Sequence, residues 1–266
     1  MHPVFQAALA AVIASPVSAA ERSGKAEASW LTASSHYQAG EPLRTAIRLA
    51  ADPGWHTYWD NPGEGGMPTS ITLHLPDGWK AGEIGRPAPL RFLTGDLPGF
   101  GYEGEVLFPV ELTPPAGASG EVTAKAELSW LACSDDACVP GEATVELKLS
   151  PGTPGPTADA ERIAKGAKRV PESAEGVSLD VTADSKTLVL SLRSTRDGFD
   201  PAACSVFPLE SGVVDAGADL RFAKSGDGLW RAEVPASEYA DGPPASLTLV
   251  FVLEGGTRPL RVAWTN

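Results

Sequence analysis

An all-β protein, with two immunoglobulin-like β-sandwiches joined by a linker that carries one short helix, is the fold class this sequence predicts. Three observations lead there. From Glu27 onward the chain runs in short stretches of alternating apolar and polar residues, such as "LRTAIRLA", "VTAKAELSWLA" and "ATVELKLS", and a period of two puts one side of a strand in a core and the other in water. The 28 Gly and 24 Pro fall mainly between these stretches, where antiparallel strands need turns. No helix-period segment separates the strands of either set, which argues against an alternating α/β fold.

Taken in order, residues 1–20, "MHPVFQAALAAVIASPVSAA", hold an apolar run from Val4 to Ala14 and then the small-residue pattern Val17-Ser18-Ala19. This is the pattern of a secretory signal peptide, with His2 as its only basic group. Export to the periplasm is therefore expected, a compartment in which disulfides persist. No later segment reaches eighteen consecutive apolar residues, so a soluble mature chain is expected. Residues 21–150 form the first predicted sandwich, with strands in "EASWLTA", "LRTAIRLA", "SITLHL", "VTAKAELSWLA" and "ATVELKLS". Residues 151–176 read as the linker: a Pro/Gly cluster leads into a helical stretch from about Ala158 to Arg169, with Thr157 or Asp159 to cap its start and Lys165, Lys168 and Arg169 at its end, where cations suit the helix dipole. Residues 177–266 form the second predicted sandwich, with strands in "GVSLDVTA", "KTLVLSLRS", "ACSVFPLE", "LWRAEVPA", "SLTLVFVLEG" and "PLRVAWTN". The two halves share no clear sequence repeat. A net charge of −13 with scattered Lys and Arg excludes nucleic acid as an expected partner, because phosphate binding needs a basic surface.

Chemistry concentrates in "SWLACSDDACVPGEA", where two of the chain's three cysteines, Cys133 and Cys138, flank four polar or small residues. A strand precedes the pair and Val139-Pro140-Gly141 follows it, so both thiols sit at the neck of a hairpin, within bridging range of each other. As a staple such a bridge does little: closing a loop of about six residues contributes roughly 2 kcal/mol, against nearly 5 for a loop of about a hundred. As a metal clip it lacks a local His or second Cys pair. Two thiolates suit Cu(I), however, with Met67 as a soft neighbour, and that alternative stays open beside a structural bridge in a non-redox scaffold. As a thiol switch, the pair is flanked by Asp135 and Asp136; a carboxylate about 7 Å away disfavours a thiolate by roughly 0.6 kcal/mol in water. The pair is thus unlike a low-pKa cysteine at a helix N-terminus, and suits being attacked, or attacking only when a partner has docked.

Elsewhere, Trp55, Tyr58 and Trp59 read as core and sheet packing. His56 reads as a turn or surface histidine with a candidate role as proton donor to a leaving thiolate. Asn61-Pro62-Gly63 with Gly65-Gly66 reads as a turn-rich loop, and Glu103 and Glu105 read as neighbours on one strand face. Cys204, in "DPAACSVFPLE", reads as a buried, inert thiol.

Three blocks, "PGWHTYWDNPGEGGMPTSITLHLPDGW", "GFGYEGEVLFPVEL" and "LSWLACSDDACVPGEA", together resemble the amino-terminal periplasmic domain of DsbD-type thiol:disulfide interchange proteins, over roughly Ala26 to Leu149. The four-residue spacing of the cysteines is most similar to the branch associated with suppression of copper sensitivity. The resemblance implies a thiol:disulfide oxidoreductase of the protein-disulfide reductase type, in processes that include copper tolerance and cytochrome c biogenesis. Its redox pair would be Cys133 and Cys138, with Asp135, Asp136 and His56 as candidate modulators. It also implies a cap loop over the pair at Pro98 to Gly104, with Phe100 or Tyr102 as the shielding ring. The partners implied are a membrane-embedded DsbD-type electron donor and periplasmic thioredoxin-fold acceptors, with no cofactor, no metal and no small-molecule substrate. DsbD-type proteins usually add a multi-span membrane domain and a terminal thioredoxin-like domain; with neither in this sequence, the donor is expected to be a separate protein.

Overall fold

Burial along β10 (Val122–Cys133) alternates almost residue by residue, and this period of two organises a strand-dominated chain. The computed structural model describes residues 19–184, 186–253, 255 and 258–266. The expected signal peptide lies almost wholly outside the described residues.

The first half folds into β1 (Glu21–Ser23), β2 (Ala26–Thr32), β3 (Leu43–Ala51), β4 (His56–Gly63), β5 (Ser70–His74), β6 (Lys80–Ala81), β7 (Leu90–Thr94), β8 (Leu97–Glu103), β9 (Glu105–Thr113), β10 and β11 (Cys138–Leu149). One sheet has the order β1-β2-β3-β9-β6; the other runs β11-β10-β4-β8-β7, with β5 also paired to β10. Their facing sides close on a core that includes Trp30, Ile47, Phe108, Trp130 and Leu147. This is the sandwich that the alternation predicts, because each sheet is apolar on one side only.

Glu103 and Glu105 do not share a strand face. Glu103 ends β8 in one sheet and Glu105 begins β9 in the other; Gly104, at φ 63°, makes the turn between sheets, a conformation that glycine adopts without steric cost.

The linker is packed against the first sandwich. Isolated bridges join Ser34 to Pro156 and Tyr37 to Pro151. The only α-helix among the described residues, α1 (Ala160–Ala167), lays Ile163 on Ala33, Ala46 and Leu107, which lie on the outer side of the five-stranded sheet. Asp159 holds the N-cap position without a side-chain cap bond; its carboxylate pairs with Arg162 instead. Arg162 and Arg48 both pair with Glu105, tying the helix to β3 and β9.

The second half contributes β12 (Glu172–Ser173), β13 (Val177–Ala183), β14 (Thr187–Ser194), β15 (Cys204–Pro208), β16 (Ala223–Gly226), β17 (Leu229–Pro235), β18 (Ser246–Leu253) and β19 (Leu260–Thr265). They make two four-stranded sheets, β12-β19-β18-β15 and β13-β14-β17-β16, around a separate core that includes Leu190, Leu192, Leu247 and Leu249. The two sandwiches touch: Phe207 and Val250 of the second join the core of the first. The buried Asn61 at the end of β4 donates to the carbonyls of Pro208 (2.8 Å) and Glu210 (3.4 Å). Asn61 is therefore a connector between the halves, although its neighbours Pro and Gly gave it the look of a loop residue.

Candidate functional site

Cys133 and Cys138 end the longest hairpin in the molecule. β10 and β11 pair in unbroken antiparallel register from Val122↔Leu149 to Cys133↔Cys138. The four residues between them form a tight loop in which Ser134 N–H donates to Ala137 O at 2.8 Å. The two cysteines are joined by a disulfide.

The phase of β10 gives the site its asymmetry. Ala124, Ala126, Leu128, Trp130 and Ala132 point into the core, whereas Lys125, Glu127 and Ser129, on the opposite face, are exposed. Cys133 shares that outward phase and yet is 0% exposed, whereas Cys138 is exposed. The reason is a change of neighbour along one edge of β10. β5 pairs with Lys125 to Ser129, and β4 takes over at Ala132↔Thr57 and Cys133↔His56. Cys133 is enclosed by a strand on each side; Cys138 has only Cys133 beside it.

His56 is consequently a buried residue beside the bridge, 6% exposed, and no surface histidine. Its ring stacks at 3.9 Å on Phe92 of β7 and meets Tyr58 edge-on at 5.4 Å. Nε2 lies 2.9 Å from Thr94 Oγ1 and 3.3 Å from Tyr58 Oη, and those two hydroxyls are 3.2 Å apart. Burial lowers the imidazole pKa, while the charges of Glu103 and then Asp135 pull it back up. Asp135 and Asp136 are exposed on the loop. A buried neutral histidine makes stability depend on pH: the unfolded chain takes up a proton below about pH 6.5 that the folded chain refuses. Stability is therefore greatest above that range and falls as pH drops through it towards the lowered native value. Urea unfolding at pH 8 and pH 5.5 is expected to show a smaller loss on acidification in His56→Gln than in the wild type; an equal loss would mean that His56 is not held neutral.

Phe100 and Tyr102 do not lie over the bridge. Glu103 pairs with His56, and Tyr102 with Thr57, which puts Tyr102 and Phe100 on the phase of Ala132, the face opposite Cys133. Tyr102 is buried, its hydroxyl donating to Pro87 O at 2.8 Å and its ring edge-on to Phe108. Phe100, also buried, packs edge-on against Phe207 of the second sandwich. The aromatic side chains on the bridge's face are Tyr58 and Phe92, the latter with Gly99 as its register partner. One sequence signal for this hairpin exists: Gly95-Asp96 between Thr94 and Leu97, a two-residue turn of the Gly-Asp type, with Gly95 at φ 60°.

The remaining sites are plain. Cys204 is buried, its thiol donating to Asp200 O at 3.4 Å, and burial, then Asp200, push it up to about 11, so it carries no thiolate near neutrality. Met67 is 45% exposed. Among the described residues no group of three or more His, Cys, Asp or Glu side chains is gathered as metal ligands.

Comparison with known proteins then gives three results. Residues 27–150 match the family model described as thiol:disulfide interchange protein DsbD, N-terminal. Among solved structures, the N-terminal periplasmic domain of ScsB from Proteus mirabilis is 21% identical, over 91% of this chain and 93% of that chain, with a TM-score of 0.66; the likeness is one of fold and runs through both sandwiches. The sporulation control protein Spo0M from Bacillus subtilis is 10% identical over 91% of each chain, with a TM-score of 0.23, too low to indicate a common fold. No curated protein sequence matches.

Proposed function

Because residues 27–150 match the model of the DsbD amino-terminal family, we propose that this chain is a periplasmic thiol:disulfide exchange module working through Cys133 and Cys138. The observation that carries the reading is the asymmetry of the pair: one sulfur offered to solvent at the end of a hairpin, its partner held under neighbouring strands. Exchange needs one accessible sulfur to form the mixed disulfide and a second thiol beside it to resolve it, and burial of the second directs an incoming partner to the first.

In the reducing direction, the Cys138 thiolate attacks a sulfur of an acceptor disulfide. The acceptor S–S bond breaks and one acceptor thiolate leaves. The Cys133 thiolate then attacks Cys138 Sγ and expels the second acceptor thiolate. The chain becomes the disulfide; the acceptor gains two electrons and, from solvent, two protons. Regeneration reverses the roles: a donor thiolate attacks Cys138 Sγ and Cys133 departs as the thiolate; the donor's second thiolate then attacks the donor sulfur of that mixed disulfide, Cys138 departs as the thiolate, and the donor is left as the disulfide. The Cys133 leaving group is buried, where a charge is costly, and His56, its register partner on β4, is the candidate to share a proton with it. Asp135 and Asp136 disfavour a free thiolate on Cys138 and so restrain exchange before a partner docks. Thioredoxin-fold proteins are the acceptors proposed, and a membrane-embedded DsbD-type protein the donor. Shielding is assigned to the β7–β8 hairpin through Phe92, in place of Phe100 or Tyr102.

The domains proposed are a signal peptide at 1–20, the redox sandwich at 21–150, a docked connector at 151–176 and the second sandwich at 177–266. No helix among the described residues is long and apolar enough to cross a membrane. The test is the reduction potential of the Cys133–Cys138 couple, measured against glutathione on the full mature chain. A relay is expected near about −200 mV, whereas a value below about −300 mV identifies a structural bridge and ends this reading.

A further inference from the structure

The β7–β8 hairpin is held from both faces. On the bridge's face, Phe92 stacks on His56 and Thr94 lies within hydrogen-bond distance of His56 and Tyr58. On the other face, Phe100 meets Phe207 edge-on with ring centroids 5.7 Å apart. The Arg91 guanidinium lies 4.8 Å from the centre of the Phe100 ring and donates to the carbonyl of Ala216 at 2.5 Å. Ala216 and Phe207 both belong to the second sandwich. The same contact is extended by the buried Asn61, which reaches Pro208 and Glu210 from β4. Between these points the packing is open: a cleft of about 390 Å³ lies behind β7, lined by Leu90, Arg91, Ser205, Phe207 and Asp219. The hairpin is thus fixed to the second sandwich by the packing of Phe100 on Phe207, within the core of the first sandwich, and by the Arg91–Ala216 hydrogen bond beside an open cleft. Its tip meanwhile presents Leu93 and Leu97, 61% and 45% exposed, so the tip has little packing of its own to keep it down.

From this arrangement we infer that the second β-sandwich is a brace for the shield: it sets how readily the β7–β8 hairpin lifts from His56 and uncovers Cys133, and Arg91 is the positioning residue that transmits its hold. The inference rests on the assignment of Cys133 and Cys138 as the exchanging pair. It gives residues 177–266 a role in that exchange without any chemistry of their own. Loss of the brace raises the population of the lifted hairpin, because the β4–β8 pairing and the contacts of Phe92 and Thr94 with His56 and Tyr58 then oppose lifting without its help.

The test uses the full mature chain, reduced, with iodoacetamide as the probe and peptide mass spectrometry to separate the three cysteines. In the wild type, Cys138 is expected to react fast and Cys133 slowly. Arg91→Met keeps an unbranched apolar stem over Phe100 and removes the donor to Ala216. It is expected to speed alkylation of Cys133 about fivefold, the factor that corresponds to one hydrogen bond of about 1 kcal/mol, with Cys138 changed less than twofold. Asn61→Asp, which keeps the acceptor for Gly63 N–H and removes the donor to the second sandwich, is expected to move Cys133 in the same direction. An unchanged Cys133 rate in both variants overturns the brace. An equal rise at both sulfurs also overturns it, since it would mark a general loosening of the first sandwich. Alkylation requires no protein partner and no particular potential, so this inference and the exchange function fail on separate measurements.

Discussion

Cys133→Ser is expected to accumulate a covalent complex with a thioredoxin-fold protein, whereas Cys138→Ser accumulates essentially none. In the first variant the thiol of the exposed residue Cys138 remains to form the mixed disulfide and nothing is left to resolve it. In the second, the remaining sulfur is fully buried between β11 and β4, so a partner's sulfur cannot reach it in line while the fold is intact. The measurement is non-reducing electrophoresis after mixing each reduced variant with a thioredoxin-fold protein whose resolving cysteine has been replaced and whose remaining cysteine carries a thionitrobenzoate disulfide, so that attack expels thionitrobenzoate and the mixed disulfide persists. Exchange rates follow access as much as thiolate fraction, and access differs here between extremes, so at least a tenfold difference in trapped yield is expected on that ground. Equal trapping by the two variants would mean that Cys133 is uncovered in solution. Trapping by Cys138→Ser alone would reverse the assignment of the attacked sulfur.

Trp130→Ala is expected to lower unfolding stability by about 3–5 kcal/mol, the range for removing a large buried aromatic. Few single changes in the chain should cost more, because the total for a domain is about 5–15 kcal/mol. Trp130 is 0% exposed and stands opposite Gly141 in the β10–β11 register. A Cβ at Gly141 would come within 2.4 Å of its ring, so indole and glycine are matched across the pair. Its Nε1 donates to Gly24 O at 3.2 Å, so truncation leaves that carbonyl without its donor as well as a cavity. Trp130 lies three residues before Cys133, and the void would loosen the strand that positions the buried sulfur. Urea unfolding with the disulfide intact checks the figure, and a loss under about 1 kcal/mol would show that the site collapses without cost. Gly141→Ala should destabilise from the opposite direction, by about 1–3 kcal/mol of overpacking.

What was legible in the sequence follows from which residues carry a period. "LRTAIRLA" and "VTAKAELSWLA" became β3 and β10 nearly to the residue, and "ATVELKLS" became the second half of β11, which begins five residues earlier, because each has one wet face and one dry face and the alternation reports it directly. The strands that build the surroundings of the bridge did not announce themselves. β4 is buried at six of its eight positions, which erases the alternation and leaves "HTYWDNPG" looking like a packed turn. β7 errs the other way, with Leu90 and Leu93 exposed, so hydrophobicity gives the wrong idea of its inner face. Phe100 and Tyr102 are the conspicuous aromatics of the sequence, and only the pairing of Tyr102 with Thr57 and of Glu103 with His56 puts them on the face opposite Cys133.

The sequence by itself determined the strand-rich architecture, the two hydrophobic cores and the meeting of Cys133 with Cys138, since each depends on local period or on a turn four residues long. Tertiary structure alone decided that Cys133 is buried and Cys138 exposed, that His56 is buried beside Cys133, and that Phe92 stacks on His56. Those features arise where β4 replaces β5 along the edge of β10 and where the second sandwich is bound to Asn61, 147 residues away along the chain. Burial of an outward-phase residue is a property of the strands that arrive beside it, and no period within its own strand can encode which strands those are.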